Sequence, residues 1–215
     1  MTEDEWLQCD SPTPLLEWLA ETADAAEGRR PGPNRDRKFR LFACACLRLT
    51  WTRLPGTSRG AVAFMERYAD GGDAKAWKDE SRRVKTRGDP GIQALNLFWD
   101  GYNLPASVCS ISGGTMKHGA DAASQVALLR CIFGNPFRPA TLAPALRGPT
   151  ITSLAAALYD ERQLPSGHLD PLRAAVLADA LEEAGCTDAN LLDHLRSPGP
   201  HVRGCRAVDL ILAKT

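Results

Sequence analysis

Polar and apolar positions in this chain recur at helical spacing for most of its length. Behind Thr13-Pro14, a capping residue followed by proline in the first helical turn, Leu15, Leu16, Trp18 and Leu19 make one apolar face up to about Glu27. GRRPGP, residues 28–33, then stops it. The next and strongest pattern runs from Asn34 or Asp36 to Leu54, with Phe39, Phe42, Ala43, Cys46 and Leu49 on one side. Pro55-Gly56 breaks it. Thr57 or Ser58 caps a third helix with Val62, Met65 and Ala69 on its inner face, ending near Gly71-Gly72. A polar helix follows from Asp73, anchored by Ala76, Trp77 and Val84, and a short apolar one holds Ile92, Leu95, Leu97, Phe98 and Trp99.

Residues 101–119, rich in glycine and serine, interrupt the periodicity and predict a loop-like excursion. Helical spacing resumes from Ala120 to Phe133, with Val126, Leu129 and Phe133 aligned. Residues 134–149 carry prolines at rigid corners, Pro136 among them, able to hold Phe137 and Leu142 against a core without regular structure. Three further helices start at Thr150, at Asp170-Pro171 and at Thr187 or Asp188. Gly185 falls where a left-handed residue would close the second of these, and a last helix spans about 206–213. Sustained period-two alternation is absent. The fold class predicted is all-α, a compact bundle or irregular array of about eight short helices. Its N-terminal helical region (1–100), excursion (101–119) and C-terminal helical region (120–215) are expected to pack as one domain.

Composition narrows the functional classes. Lys plus Arg and Asp plus Glu stand at 26 each, which removes the cationic excess of a dedicated nucleic-acid binder. The N-terminus, MTEDEWLQCD, is acidic where a secretory leader would be basic and then apolar, and no run approaches the ~20 apolar residues of a membrane span. A cytoplasmic location without a membrane partner is expected. Seven cysteines in irregular spacing fit reduced and mostly buried thiols rather than a disulfide framework.

RKFRLFACACLR, FGNPFRP, LYDER, LADALEEAG and GPHVRGCRAVD together resemble a large family of uncharacterised proteins encoded many times over in planctomycete genomes of the Gemmata type. LADALEEAG, Leu177 to Gly185, is also similar in part to the YADWLEERG element of the repeat-companion domain of those organisms, with Ala180 in place of its tryptophan. The resemblance implies an interaction or companion module and assigns no catalytic residue.

The densest candidate chemistry lies near the C-terminus. Cys186, His194, His201 and Cys205 are separated by seven, six and three residues. Their side chains are the four ligand types of a structural zinc site, although the short paired knuckle of zinc fingers is missing. The plain alternative has both cysteines buried, His194 at the surface or capping a helix, and His201 hydrogen-bonding backbone within its turn. Cys44 and Cys46 point about 200° apart on a helix and cannot pair or jointly chelate.

Cys109 and His118 are the residues a cysteine-dependent hydrolase would use, given a base ~3 Å from the thiol and an oxyanion hole. SGGTMK fails the phosphate-loop pattern. Two basic clusters, Arg82, Arg83, Lys85 and Arg87 and then Arg35, Arg37, Lys38 and Arg40, read as solvated faces, with phosphate contact the weaker alternative. Glu161 is placed to accept from Arg138 or Arg173 and tie the proline-rich segment to the core.

The leading expectation is a non-enzymatic interaction module with a protein partner, using Trp77, Trp99, Arg82 and Arg83 at its surface, with Trp6 and Trp18 as further anchors. Alternatives are a zinc-stabilised domain touching nucleic acid, and the hydrolase.

Overall fold

The computed structural model describes residues 1–27, 33–71, 79 and 104–214. Among them are ten α-helices and two 3-10 turns, with two isolated β-bridges and no strand. No described helix is long and apolar enough to cross a membrane. The chain divides into two compact units, Met1–Val126 and Ala127–Thr215.

The first unit opens with α1, Glu3–Gln8. The Thr2 hydroxyl accepts from the Glu5 amide at 3.2 Å while the Glu5 carboxylate accepts from the Thr2 amide at 2.7 Å, a reciprocal cap that closes this one-and-a-half-turn helix. It delivers Trp6 to full burial, tilted against Trp18 with ring centres 5.8 Å apart. Helix α2 is Pro12–Glu27, burying Leu15 and Leu16. Helix α3, Pro33–Leu49, is central: every residue from Phe39 to Leu47 except Arg40 is buried, so Cys44 and Cys46 are both inside despite pointing apart. A 3-10 turn at Trp51–Arg53 ends this run earlier than the predicted Leu54. Helix α4, Gly56–Ala69, packs on α3 and buries Val62 and Met65 as its spacing predicts.

Two ion pairs fasten α3 to α4. Arg48 and Glu66, both nearly inaccessible, form a bidentate pair at 2.6 and 2.9 Å, with the guanidinium over the Trp51 ring at 4.6 Å. Arg37 reaches Asp70 at 2.8 Å. Two members of the basic cluster Arg35 to Arg40 are therefore not simply solvated: Arg37 is buried in an ion pair and Arg40 lies over Tyr68 at 5.7 Å, while the Arg35 side chain lies outside those described.

The predicted excursion proves to be helical where it is described. Helix α5, Leu104–Lys117, packs on α2 and α3. Gly113 and Gly114 each cost about 1 kcal/mol of helix propensity relative to alanine. Tertiary packing overrides this: Val108 and Ile111 are buried, and fully buried Gln125 accepts from the Ser112 hydroxyl and donates to Ser112 carbonyl (3.1 Å) and Thr115 hydroxyl (3.0 Å). Helix α6, Ala122–Phe133, carries Gln125 and is capped by Asp121, which accepts from the Ser124 amide at 2.7 Å.

The second unit begins within α6. Asn135 to Arg138 form a turn with Pro136 at its corner, the Arg138 amide donating to Asn135 carbonyl at 3.1 Å. Of the two hydrophobes in the proline-rich stretch, Leu142 is buried and Phe137 is exposed. Helix α7 is Pro149–Asp160. Helix α8, Pro171–Glu183, starts at the predicted Asp170 cap, and Gly185 after it has φ 97°, the left-handed conformation its position implied. Helix α9, Ala189–Arg196, is capped by Asp188, and α10 is Arg206–Ile211. Helix α8 packs against α7 and α9, and α10 against the same two, around Leu158, Tyr159, Leu177, Leu181, Leu191 and Val208. Glu161 accepts from Arg173 at 2.5 Å, but both side chains are more than half exposed. The proline-rich stretch is tied down elsewhere, the Thr141 amide donating to the Asp188 carboxylate at 3.3 Å.

Candidate metal centre

Three of the four proposed ligands converge, and a fourth comes from an unexpected place. Cys131, His194, His201 and Cys205 offer ligand atoms that all lie within 4.8 Å of one another. Cys186 is not in the group; it is buried just past the end of α8, its amide donating to Leu181 carbonyl. Cys131 takes its place from the last turn of α6.

Each ligand is positioned by local chemistry. His194 sits in the last turn of α9, its Nε2 3.2 Å from the Cys205 sulfur. His201 follows Gly199, whose φ of 101° and 2.9 Å separation between a notional Cβ and the His201 amide nitrogen exclude any other residue without rearrangement. That bend sets the His201 ring edge-on to His194 with centres 4.9 Å apart. Cys205 precedes α10, its amide donating to Val202 carbonyl at 2.8 Å. Gly134 closes α6 at φ 75°, and the absence of a side chain there lets the Arg206 stem lie against it; a Cβ would come within 2.3 Å of Arg206 Cδ. The end of α6 and the start of α10 are thereby free to approach, which brings Cys131 to Cys205.

The protonation pattern follows from burial and neighbours. The Cys205 thiol is held well below its usual pKa, first by the hydrogen bond from Cys131 and then by His194 and His201. The Cys131 thiol is pushed up, by donating that bond and by burial. His201 Nε2 lies 3.0 Å from Ser197 carbonyl, an acceptor only, so Nε2 carries a proton; burial disfavours the charged ring, but Cys205 and the Ser197 carbonyl outweigh it and raise the His201 pKa. His201 is 2% exposed, and its Nδ1 is buried without a hydrogen-bond partner among the described residues. An imidazole whose outer nitrogen is fixed by a carbonyl while the inner one faces sulfur is the usual arrangement of a metal-ligating histidine. The four residues could hold a metal ion.

The other candidate positions fall differently. Trp77, Trp99, Arg82, Arg83, Lys85 and Arg87 lie outside the described residues. Cys109 is half-buried, and burial together with the Glu17 carboxylate raises its thiol pKa, away from the nucleophilic thiolate. His118 is exposed and borders a cavity that Cys109 does not line. No hydrogen bond joins the two among the described residues. Sequence reasoning missed Cys131 because it reads as one more buried apolar position in AASQVALLRCIF; no local spacing links it to His194.

No protein-family model matches the chain, and no curated protein or solved structure matches it either.

Proposed function

We propose that this protein is a non-enzymatic helical module whose C-terminal unit is fastened by a structural zinc ion held by Cys131, His194, His201 and Cys205. The observation that carries the reading is the buried, unpartnered Nδ1 of His201 within a set of two thiols and two imidazoles. A two-sulfur, two-nitrogen donor set is the preference of zinc among common divalent ions. With zinc bonded at about 2.3 Å to sulfur and about 2.0–2.1 Å to nitrogen, tetrahedral ligand atoms stand roughly 3.3–3.8 Å apart. His194 and Cys205 are already this close, and no two of the four ligand atoms are more than 4.8 Å apart, so binding asks for only a small contraction of the set. Four protein ligands leave no open position for water or substrate, which favours a structural over a catalytic role.

Zinc content measured on freshly purified protein tests this. Wild type is expected to carry about one zinc per chain, Cys186→Ser to match it, and Cys131→Ser to retain less than about 0.2. Equal zinc in the wild type and Cys131→Ser, or none in the wild type, defeats the proposal.

The partner for such a module is a second protein rather than nucleic acid, a reading supported by Leu172 and Val176. These sit one turn apart on α8 and are 78% and 55% exposed, with balanced charge over the chain. Cross-linking followed by recovery tests it, and repeated absence of any specific partner counts against it.

A further inference from the structure

Within the first unit, away from the cysteine and histidine cluster, a cavity of about 310 Å³ opens between the end of α3, the turn after it and the C-terminal half of α5. Leu47, Leu54, Pro55 and Ile111 supply apolar walls, and Arg53 and His118 stand among the lining residues with no carboxylate. Among the described residues neither the Arg53 guanidinium nor the His118 imidazole has a hydrogen-bond or ion-pair partner. In the same unit Arg37 and Arg48 are both committed to carboxylates. The guanidinium of Arg53 lies across Gly119, 3.6 Å from where a Cβ would be, at the mouth formed by the end of α5.

We infer that this cavity binds a small amphipathic carboxylate, its apolar body against Leu47, Leu54 and Ile111 and its carboxylate between Arg53 and His118. An apolar enclosure with a few convergent polar groups is the usual construction of a small-molecule site, and about 310 Å³ is at the low end of the size range. At roughly 30 Å³ per water-sized group the space takes about ten non-hydrogen atoms, a chain of eight carbons or a single ring with a short acid arm. Arg53 supplies a planar fork matched to a carboxylate. Thr115, on the cavity wall, is fixed from behind by Gln125, so this part of the site is formed before any ligand arrives. Gly114 also lines the cavity, and a Cβ added there meets nothing within 4 Å. One of the two glycines that looked like a loop signal in the sequence thus leaves space at the cavity wall.

Titration of the full chain with octanoate, followed by backbone and methyl nuclear magnetic resonance, tests the inference, with octan-1-ol as the neutral comparison. Octanoate is expected to saturate, shifting Leu47, Leu54 and Ile111 methyls. Arg53→Gln is expected to weaken octanoate at least about fivefold while leaving octanol unchanged. Gly114→Leu, which fills the space, should abolish both, and Gly114→Ala, which also favours the helix, should weaken both while leaving the spectrum folded. No saturable binding up to about 10 mM, shifts confined to other residues, or equal octanoate and octanol affinity in Arg53→Gln and wild type would overturn it.

Discussion

The two units solve the same problem, how to keep short helices together, by different chemistry. In Met1–Val126 the long helix α3 is buried nearly all round, and charges taken into the interior are neutralised in place: Arg48 by Glu66, Arg37 by Asp70. Buried Gln125 likewise satisfies its amide against Ser112 and Thr115. In Ala127–Thr215 the buried polar groups include Asp209 and a cluster of two thiols and two imidazoles, in which His201 Nδ1 has no hydrogen-bond partner among the described residues. Among the described residues no buried side-chain nitrogen or oxygen of the first unit lacks a hydrogen-bond partner, whereas in the second His201 Nδ1 lacks one within a set that could hold a metal. Buried polar sets stabilise only when every member is satisfied, so the second unit gains most from an added ion.

The largest expected effect separates the two directly. Stripping metal with a chelator should open residues 127–214 in amide hydrogen exchange and leave the protection of α3 and α4 essentially unchanged. Uniform loss of protection, or none, would erase the contrast. Next in size is Glu66→Ala, which strands the Arg48 guanidinium in the interior and should cost about 3–5 kcal/mol in urea unfolding of the first unit. Replacing both partners together, Arg48→Met with Glu66→Leu, should recover most of that loss.

A smaller effect is shared by both units. Asp121 caps α6 and Asp170 caps α8, and hydrogen bonds from Ser124, and from Arg173 and Leu172, hold their carboxyls below the ordinary 3.8. Because the folded pKa is the lower one, this stabilisation is complete above about pH 4 and is lost as pH falls through the depressed values. Asp121→Asn and Asp170→Asn should each flatten the acid limb of the stability profile below about pH 4. An unchanged slope in both would show that the caps do not titrate as described. Smallest of all is Glu161→Gln, where the exposed pair with Arg173 should shift stability by no more than about 0.5 kcal/mol.

The contrast also marks what the sequence made legible. Helices α2, α3, α4, α7, α8 and α9 were readable because apolar spacing and capping residues agree, as at Asp170-Pro171 and Gly185. Helix α1 was not read from the sequence: MTEDEWLQCD drew attention for its charge, and the Thr2 to Glu5 capping box that closes the helix was overlooked. Helix α5 was hidden because Gly113, Gly114 and three serines argue against a helix locally, whereas burial of Val108 and Ile111 and the contact with Gln125 are nonlocal. The same limit governs the candidate metal centre. His194, His201 and Cys205 share one turn-rich stretch and were visible together. Cys186 entered by proximity along the chain and Cys131 was missed, because only the packing of α6 near α10, permitted by Gly134, brings that thiol in.

X-ray absorption at the zinc edge of the purified full-length protein examines the ligand set atom by atom. Two sulfurs at about 2.3 Å and two nitrogens at about 2.0–2.1 Å are predicted, falling to one sulfur, or to loss of the metal, in Cys131→Ser. A shell of oxygens and nitrogens alone, or two sulfurs retained in Cys131→Ser, would contradict a centre built from Cys131, His194, His201 and Cys205.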